Sequence, residues 1–282
     1  MYEQFGSFGA WLNPALGDAR IEYAPELEEL GYRTIWLGIG AAPVGDLRVL
    51  EQVLRATRRA VVATAIVNMW QDPATSIADG YRRLAGEFGS RVKLGVGLGH
   101  PESRESYHRP NEHMVDYLDL LQSAGVPSEA VLVGALGSRT LQLAGQRTFG
   151  AHPYLTTPEH TRFAREILGA NPFLAPEHKV VLTEDVQRAR AIGRATVQYP
   201  YLGLRNYTNN LLRHGFDEND VAGSGSDRLI DALVANGSAP TIIKRLTDHL
   251  NAGANHVGIQ VLTDSDVSPM SGYRALGEHI AP

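Results

Sequence analysis

Short apolar runs recur along the chain, each reached from a helix-like stretch through a glycine. Glu26-Leu27-Glu28-Glu29-Leu30 closes on Gly31, and Arg33-Thr34-Ile35-Trp36-Leu37 follows. The stretch 84–89 leads in the same way into Val92-Lys93-Leu94-Gly95-Val96. The pattern repeats from 141–150 into 151–155 and from 246–253 into 256–262. Glycine accepts the left-handed conformation that ends a helix. Short apolar strands reached from helices mark a parallel sheet buried on both faces. With the remaining apolar runs, the pattern predicts eight strands near 5–11, 33–38, 61–68, 92–98, 130–136, 150–155, 179–183 and 256–262. Apolar positions at helical spacing predict helices over 47–57, 75–88, 114–123, 138–147 and 159–168. Eight alternating units favour a closed (β/α)8 barrel over an open doubly wound sheet. No glycine-rich dinucleotide fingerprint follows the first strand, which argues against a Rossmann fold.

Two connections are too long for this rhythm. The first, near 100–113, is polar and carries Tyr107, His108 and Arg109; the second, 186–240, is largely helical. Both leave from the ends of strands where barrel active sites lie, and both are read as covers over a mouth. The 282 residues suit one domain spanning 1–282. The net charge of −5 is scattered in both signs, with no basic stripe, so nucleic acid is not an expected partner. There is no cysteine, which excludes disulfides, thiolate catalysis and cysteine-held metals. Redox chemistry would then rest on a bound cofactor. The most apolar run, 61–70, is too short to span a membrane, and the start of the chain does not read as a signal peptide. The expectation is a cytoplasmic protein acting on a small molecule.

Candidate chemistry gathers at the strand ends. Strand four ends Leu94-Gly95-Val96-Gly97-Leu98-Gly99-His100. Alternating glycines leave room either for a flat ligand against the backbone or for tight barrel packing. His100 is placed to exchange a proton near neutral pH, or to serve as a hydrogen-bonded loop residue. Strand five runs into Leu136-Gly137-Ser138-Arg139 and a helix starts at once. Ser138 is read as the N-cap, and the free amides from Arg139 to Leu141 as a phosphate site that Arg139 reinforces. Strand six brings His152 and Tyr154 to the mouth. His152 and His160 lack the spacing of a metal pair, and no metal is expected. Trp11 and Gly38 close strands one and two, and Asn68 carries strand three toward the mouth.

These residues resemble the luciferase-like monooxygenase superfamily. The resemblance is carried by Glu28 to Leu37, by Ala63-Thr64-Ala65-Ile66-Val67-Asn68 and by Arg91 to Gly99. Within it, Leu136-Gly137-Ser138, Gly150 to Leu155, Pro158-Glu159-His160-Thr161, Asn206 to Asn210 and Ser226-Asp227-Arg228-Leu229 resemble a group of actinobacterial F420-dependent oxidoreductases. The resemblance runs from about 5 to 262. It implies a deazaflavin coenzyme, F420, at the barrel mouth. The ring would rest on a bulge of strand three, at a cis bond between Ala65 and Ile66, with Asn68 at its polar edge. Gly97, Gly99, Trp11 and Gly38 would line its seat. Its phosphate would lie at Leu136, Gly137, Ser138 and Arg139. The reaction would be hydride transfer, with His100 first and His152 second as the proton-handling group. The expected assembly is a homodimer.

The chain also departs from these relatives. Many carry an acid and a histidine where Leu37-Gly38-Ile39-Gly40 stands, and often an arginine before the proline of Met69-Trp70-Gln71-Asp72-Pro73. His100 replaces the acid found in relatives that oxidise sugar phosphates, which points away from that substrate. Two other readings therefore stand beside F420: an FMN-dependent monooxygenase on the same barrel, and a barrel that binds a small molecule without chemistry.

Overall fold

A computed structural model describes residues 2–39, 45–100, 102 and 108–280. The described strands all run parallel. They are β1 (Phe8–Leu12), β2 (Thr34–Gly38), β3 (Val61–Ala65), β4 (Val67–Asn68), β5 (Val92–Gly97), β6 (Val131–Val133), β7 (Gly150–Ala151), β8 (Phe173–Leu174), β9 (Glu177–Val181), β10 (Val234–Asn236) and β11 (Val257–Val261). The intervening helices are α1 (Ala19–Glu29), α2 (Arg48–Ala56), α3 (Ala74–Phe88), α4 (Pro110–Ser123), α5 (Ser138–Arg147), α6 (Pro158–Leu168), α7 (Val186–Gln198), α8 (Arg205–Arg213), α9 (Glu218–Val221), α10 (Asp227–Leu233), α11 (Ala239–Asn251) and α12 (Met270–Gly277).

The sheet curls into a barrel of eight staves. Going round, β1 pairs with β2, β2 with β3, β3 and β4 with β5, and then β6 and β7 follow. Residues 173–181 close the ring as one stave made of β8 and β9. On one side the amides of Phe173, Ala175 and Glu177 donate to the carbonyls of Phe149, Ala151 and Pro153, at 2.8, 3.0 and 2.8 Å. On the other side Asn255 and Gly258 donate to Leu174 and Pro176, and β11 completes the circuit to β1. The predicted barrel and its eight strand positions are thus observed, with residues 173–174 extending the seventh stave earlier than the apolar pattern indicates.

The two expected covers divide into parts with different places in the fold. The connection 186–240 is not all cover. Helix α7 lies on β9 and β10 as a wall helix, and Val234–Asn236 forms the short strand β10 beside β9. The part that reaches the mouth is centred on 201–207. Of the other expected cover, residues 101 and 103–107 lie outside the described residues, and 110–113 are the first turn of α4.

Side chains fill the lower barrel. Phe5, Phe149 and Phe173 cluster with ring centroids 4.5–5.3 Å apart. Above them Trp36 stacks on His152 at 4.0 Å. The barrel floor is therefore a solid aromatic plug, and only its upper end can receive a ligand.

Candidate active site at the barrel mouth

The centre of the mouth is built by one side chain and three glycines. The Ala65–Ile66 peptide is cis, as the resemblance implied, and separates β3 from β4. Ile66 lies across the next two staves. A Cβ added to Gly97 would fall 2.1 Å from Ile66 Cδ1, and one added to Gly134 would fall 2.7 Å from it. A Cβ on Gly95 would meet Ile66 Cγ2 at 3.2 Å and the carbonyl oxygen of Thr64 at 2.1 Å. The alternating glycines of β5 thus make room for Ile66, not directly for a ring. Ile66 and Gly134 remain partly exposed, so together they form an apolar shelf facing the mouth.

Around this shelf stand several of the predicted residues. Ala65 is buried behind it. Gly38 is needed because the Trp11 ring would lie 2.6 Å from any Cβ there. Asn68 folds its Oδ1 back to accept from the amide of Trp70 at 3.0 Å, and its Nδ2 lies over Gly99. Only the Nδ2 donor of Asn68 is left to meet the edge of a ring. Gly99 adopts φ +64°, a turn that carries the chain from β5 to His100.

His100 and His152, paired in the sequence reading, part company here. The Nδ2 group of Asn206, on α8, donates to His100 Nδ1 at 3.3 Å, which places the ring proton on Nε2. Burial pushes the pKa of His100 down, so the ring is neutral at pH 7. Its neighbour across the mouth is Tyr207, with ring centroids 5.5 Å apart. His152 instead is locked inside the barrel. Its Nδ1 donates to the Ala175 carbonyl at 2.6 Å, and its Nε2 accepts from Trp11 Nε1 at 3.2 Å. Burial holds its pKa down at about 3. With both nitrogens committed, His152 is a packing residue, and the assignment of a proton-handling role to it is withdrawn. Its ring signals should stay those of neutral imidazole from pH 5.5 to 8 in an NMR titration; a midpoint inside that range would return it to the list of catalytic candidates.

The cap at the start of α5 is shifted by one residue from the expected one. Gly137, not Ser138, is the N-cap of α5: it is extended (φ −88°, ψ 158°) and its carbonyl accepts from Leu141 at 3.0 Å. Ser138 and Arg139 are exposed in the first turn, and Leu136 is half-buried beneath them. The orphan amides are therefore those of Ser138, Arg139 and Thr140. The first turn of α6 lies alongside, because His160 Nε2 donates to the Leu136 carbonyl at 2.9 Å. There the hydroxyls of Thr156 and Thr157, both buried, have no partner among the described residues. The sequence signal for them, a Thr-Thr-Pro run opening a helix, was present but unread.

Apart from Tyr154, the far wall of the mouth also went unread. Glu177 and Lys179 pair at 2.9 Å inside the barrel, with both side chains 0% exposed. Burial drives the Glu177 pKa up and the Lys179 pKa down. Lys179 Nζ sits 3.8 Å from the centre of the Tyr154 ring. Tyr201 donates to the Tyr154 hydroxyl and Tyr154 donates to Gln260 Oε1, each at 3.1 Å. Ionisable or amide side chains in the otherwise apolar strands Glu177–Val181 and Val257–Val261 were the available signal. Asn206 carried a signal only through the resemblance of 206–210, and Tyr201 carried none, since only the fold brings 201–207 over the mouth. Among the described residues no group of three or more His, Asp or Glu is arranged to hold a metal, and no helix is long and apolar enough to cross a membrane.

The chain matches no known protein-family model, and it matches no curated protein. Solved structures do resemble it along their whole length. An F420-dependent secondary alcohol dehydrogenase, solved with an F420–acetone adduct, superposes with a TM-score of 0.72 at 14% identity, covering 98% of each chain. The coenzyme F420-dependent tetrahydromethanopterin reductase of Methanopyrus kandleri gives 0.72 at 14%, over 98% of this chain and 99% of its own. The FMN-bound oxygenating constituent of 3,6-diketocamphane monooxygenase, from the CAM plasmid of Pseudomonas putida, gives 0.72 at 15%, over 98% and 96%. At such identities the likeness is one of architecture, and the architecture that this chain shares with them is a parallel (β/α)8 barrel.

Proposed function

We propose that this protein is an oxidoreductase that seats the deazaflavin coenzyme F420 at the barrel mouth and passes a hydride between it and a small organic molecule. The observation that carries this reading is the Ile66 shelf. Gly97 and Gly134, on two neighbouring staves, are given up to one partly exposed aliphatic side chain, which makes a flat apolar floor of the kind a planar ring requires. The remaining residues fit the group. The N-termini of α5 and α6 meet beside Leu136 and offer free amides, two threonine hydroxyls with no partner among the described residues and the Arg139 guanidinium, a donor set matched to a phosphate. Ala65, Gly97 and Gly99 shape the shelf, and Trp11 and Gly38 close its edge. Asn68 offers its Nδ2 to the polar rim.

When bound, a deazaflavin supplies a two-electron hydride carrier. The chain supplies position and proton control. His100 holds its proton at Nε2 because Asn206 occupies Nδ1, and it stands next to the shelf at the end of β5. The 201–207 segment covers the mouth and excludes water from the side opposite Ile66. His100→Ala should therefore keep coenzyme affinity and lose turnover; equal turnover in the variant removes His100 from this role.

An FMN-dependent monooxygenase is the second reading, supported by an equal superposition on the FMN-bound constituent of 3,6-diketocamphane monooxygenase. Fluorescence quenching with F420 and with FMN separates the two, and oxygen uptake with the reduced coenzyme is the second readout. Binding of neither coenzyme would favour a barrel without redox chemistry. Ser138→Ala and Arg139→Ala should each weaken binding of the coenzyme by about 1–3 kcal/mol through lost charge-assisted bonds. Arg139 is exposed, so its effect should lie at the lower end and shrink with added salt. Unchanged affinity in both variants would move the phosphate elsewhere.

A further inference from the structure

The wall of the mouth formed by β9 and β11 contains a hydrogen-bond donor with nothing to donate to. Gln260 is 1% exposed, and its Nε2 has no partner among the described residues. An unpaired buried amide is costly, so such a group needs an explanation. The amide is also held in one orientation. Tyr201 gives its proton to the Tyr154 oxygen, so the single Tyr154 proton goes to the oxygen of Gln260. The Nε2 group must then point away from the tyrosines. Trp11 borders the same place, with its ring 5.3 Å from that of Tyr154 and its edge against Gly38.

We infer that Gln260, keyed by Tyr154 and Tyr201, is the residue that recognises an oxygen atom of the substrate, and that the substrate is a neutral carbonyl compound or the corresponding alcohol. The chemistry of the wall selects the class. Two N–H bonds of an amide match the lone pairs of a carbonyl or hydroxyl oxygen. A carboxylate or phosphate would need a counter-charge, and the only cation of this wall, Lys179, is already committed to Glu177 at 2.9 Å. The aromatic faces of Trp11, Tyr154 and Tyr201 suit the hydrocarbon part of such a molecule. Gln260 would act on the substrate directly; Tyr154 and Tyr201 would be positioning residues that fix its amide. This inference rests on the proposed redox site only for the placing of the substrate beside the shelf.

The test uses cyclohexanone labelled with carbon-13 at the carbonyl, added to the coenzyme-free protein and followed by NMR. A hydrogen bond to the carbonyl moves its resonance downfield. Saturable binding is expected for the wild type, with the bound resonance downfield of that of cyclohexanone in an apolar solvent. Gln260→Met keeps the size and removes the donor; binding should weaken at least tenfold and the shift should vanish. Tyr154→Phe frees the amide to turn and should diminish the shift as well, which provides a second variant should Gln260→Met fail to fold. Coenzyme affinity, measured on the same proteins by fluorescence quenching, should not change. Absence of cyclohexanone binding to the wild type, or the same shift in Gln260→Met, overturns the inference. Loss of coenzyme affinity in Gln260→Met also overturns it, by assigning the amide to the coenzyme. A wild type that binds cyclohexanone through Gln260 but binds neither F420 nor FMN would instead overturn the redox reading and leave this one standing.

Discussion

Lys179→Met should cost about 3–5 kcal/mol of folding stability at neutral pH, because it strands the Glu177 carboxylate inside the barrel. Glu177 would keep only one other bond, from the Leu155 amide to its Oε2 at 3.1 Å. The loss should depend on pH in a definite direction. Burial raises the Glu177 pKa above the unfolded carboxyl value of about 4.3. Between those two values the folded state holds a proton that the unfolded state has released, so stability falls as pH rises through that window. Removing the lysine also removes the attraction that opposes the upward shift, and the window widens upward. Urea unfolding of Lys179→Met should therefore show a larger deficit at pH 7.5 than at pH 5.5. Glu177→Gln combined with Lys179→Met should recover most of the loss, since a neutral amide replaces the stranded charge. An equal deficit at both pH values, or a double variant no better than the single one, would mean that packing around Lys179 dominates and the ion pair does not.

The barrel itself was legible because its cause is local. A helix ending at Gly31 or Gly253 and an apolar run a few residues later are features of adjacent residues, and parallel pairing follows from them. The strands that escaped notice lack that punctuation. Strand β10 continues directly from the last turn of α10 at Leu233, and Phe173–Leu174 lies between Pro172 and Pro176. The site was legible by position and less so by role. Gly97 was found, yet its reason is the side chain of Ile66, which approaches from another stave. His152 stands at a strand end like His100, but Trp11 and the Ala175 carbonyl, 141 residues before it and 23 after it in sequence, decide that it stays neutral and fixed. The cap at Gly137 shows the same limit on a smaller scale: serine is the better capping residue, but the bend after β6 comes one residue earlier.

Two glycines of one strand should give opposite kinds of defect. In Gly95→Ala the new methyl would lie 2.1 Å from the Thr64 carbonyl oxygen, which is backbone of β3, a strand held by β2 on its other side. The strands must separate, and the loss in stability should be near the upper end of the usual overpacking range, about 3 kcal/mol. In Gly97→Ala the obstacle is only Ile66 Cδ1, the free end of a side chain, again at 2.1 Å. Ile66 cannot retreat toward β6, because Gly134 already has just enough room for the same methyl group. It must rise into the mouth. Stability should then fall by about 1 kcal/mol, while F420 affinity should drop at least tenfold, equivalent to about 1.4 kcal/mol, because the raised side chain occupies the coenzyme's seat. Shortening the obstacle supplies the control. Ile66→Val lacks Cδ1, so Gly97→Ala with Ile66→Val should regain affinity that neither change alone predicts, a coupling between contacting residues that a double-mutant cycle measures. Thermal melting and fluorescence quenching on the four proteins give both axes. If Gly97→Ala binds F420 as tightly as the wild type, the shelf is not the seat, and the ring, if there is one, lies elsewhere on the mouth.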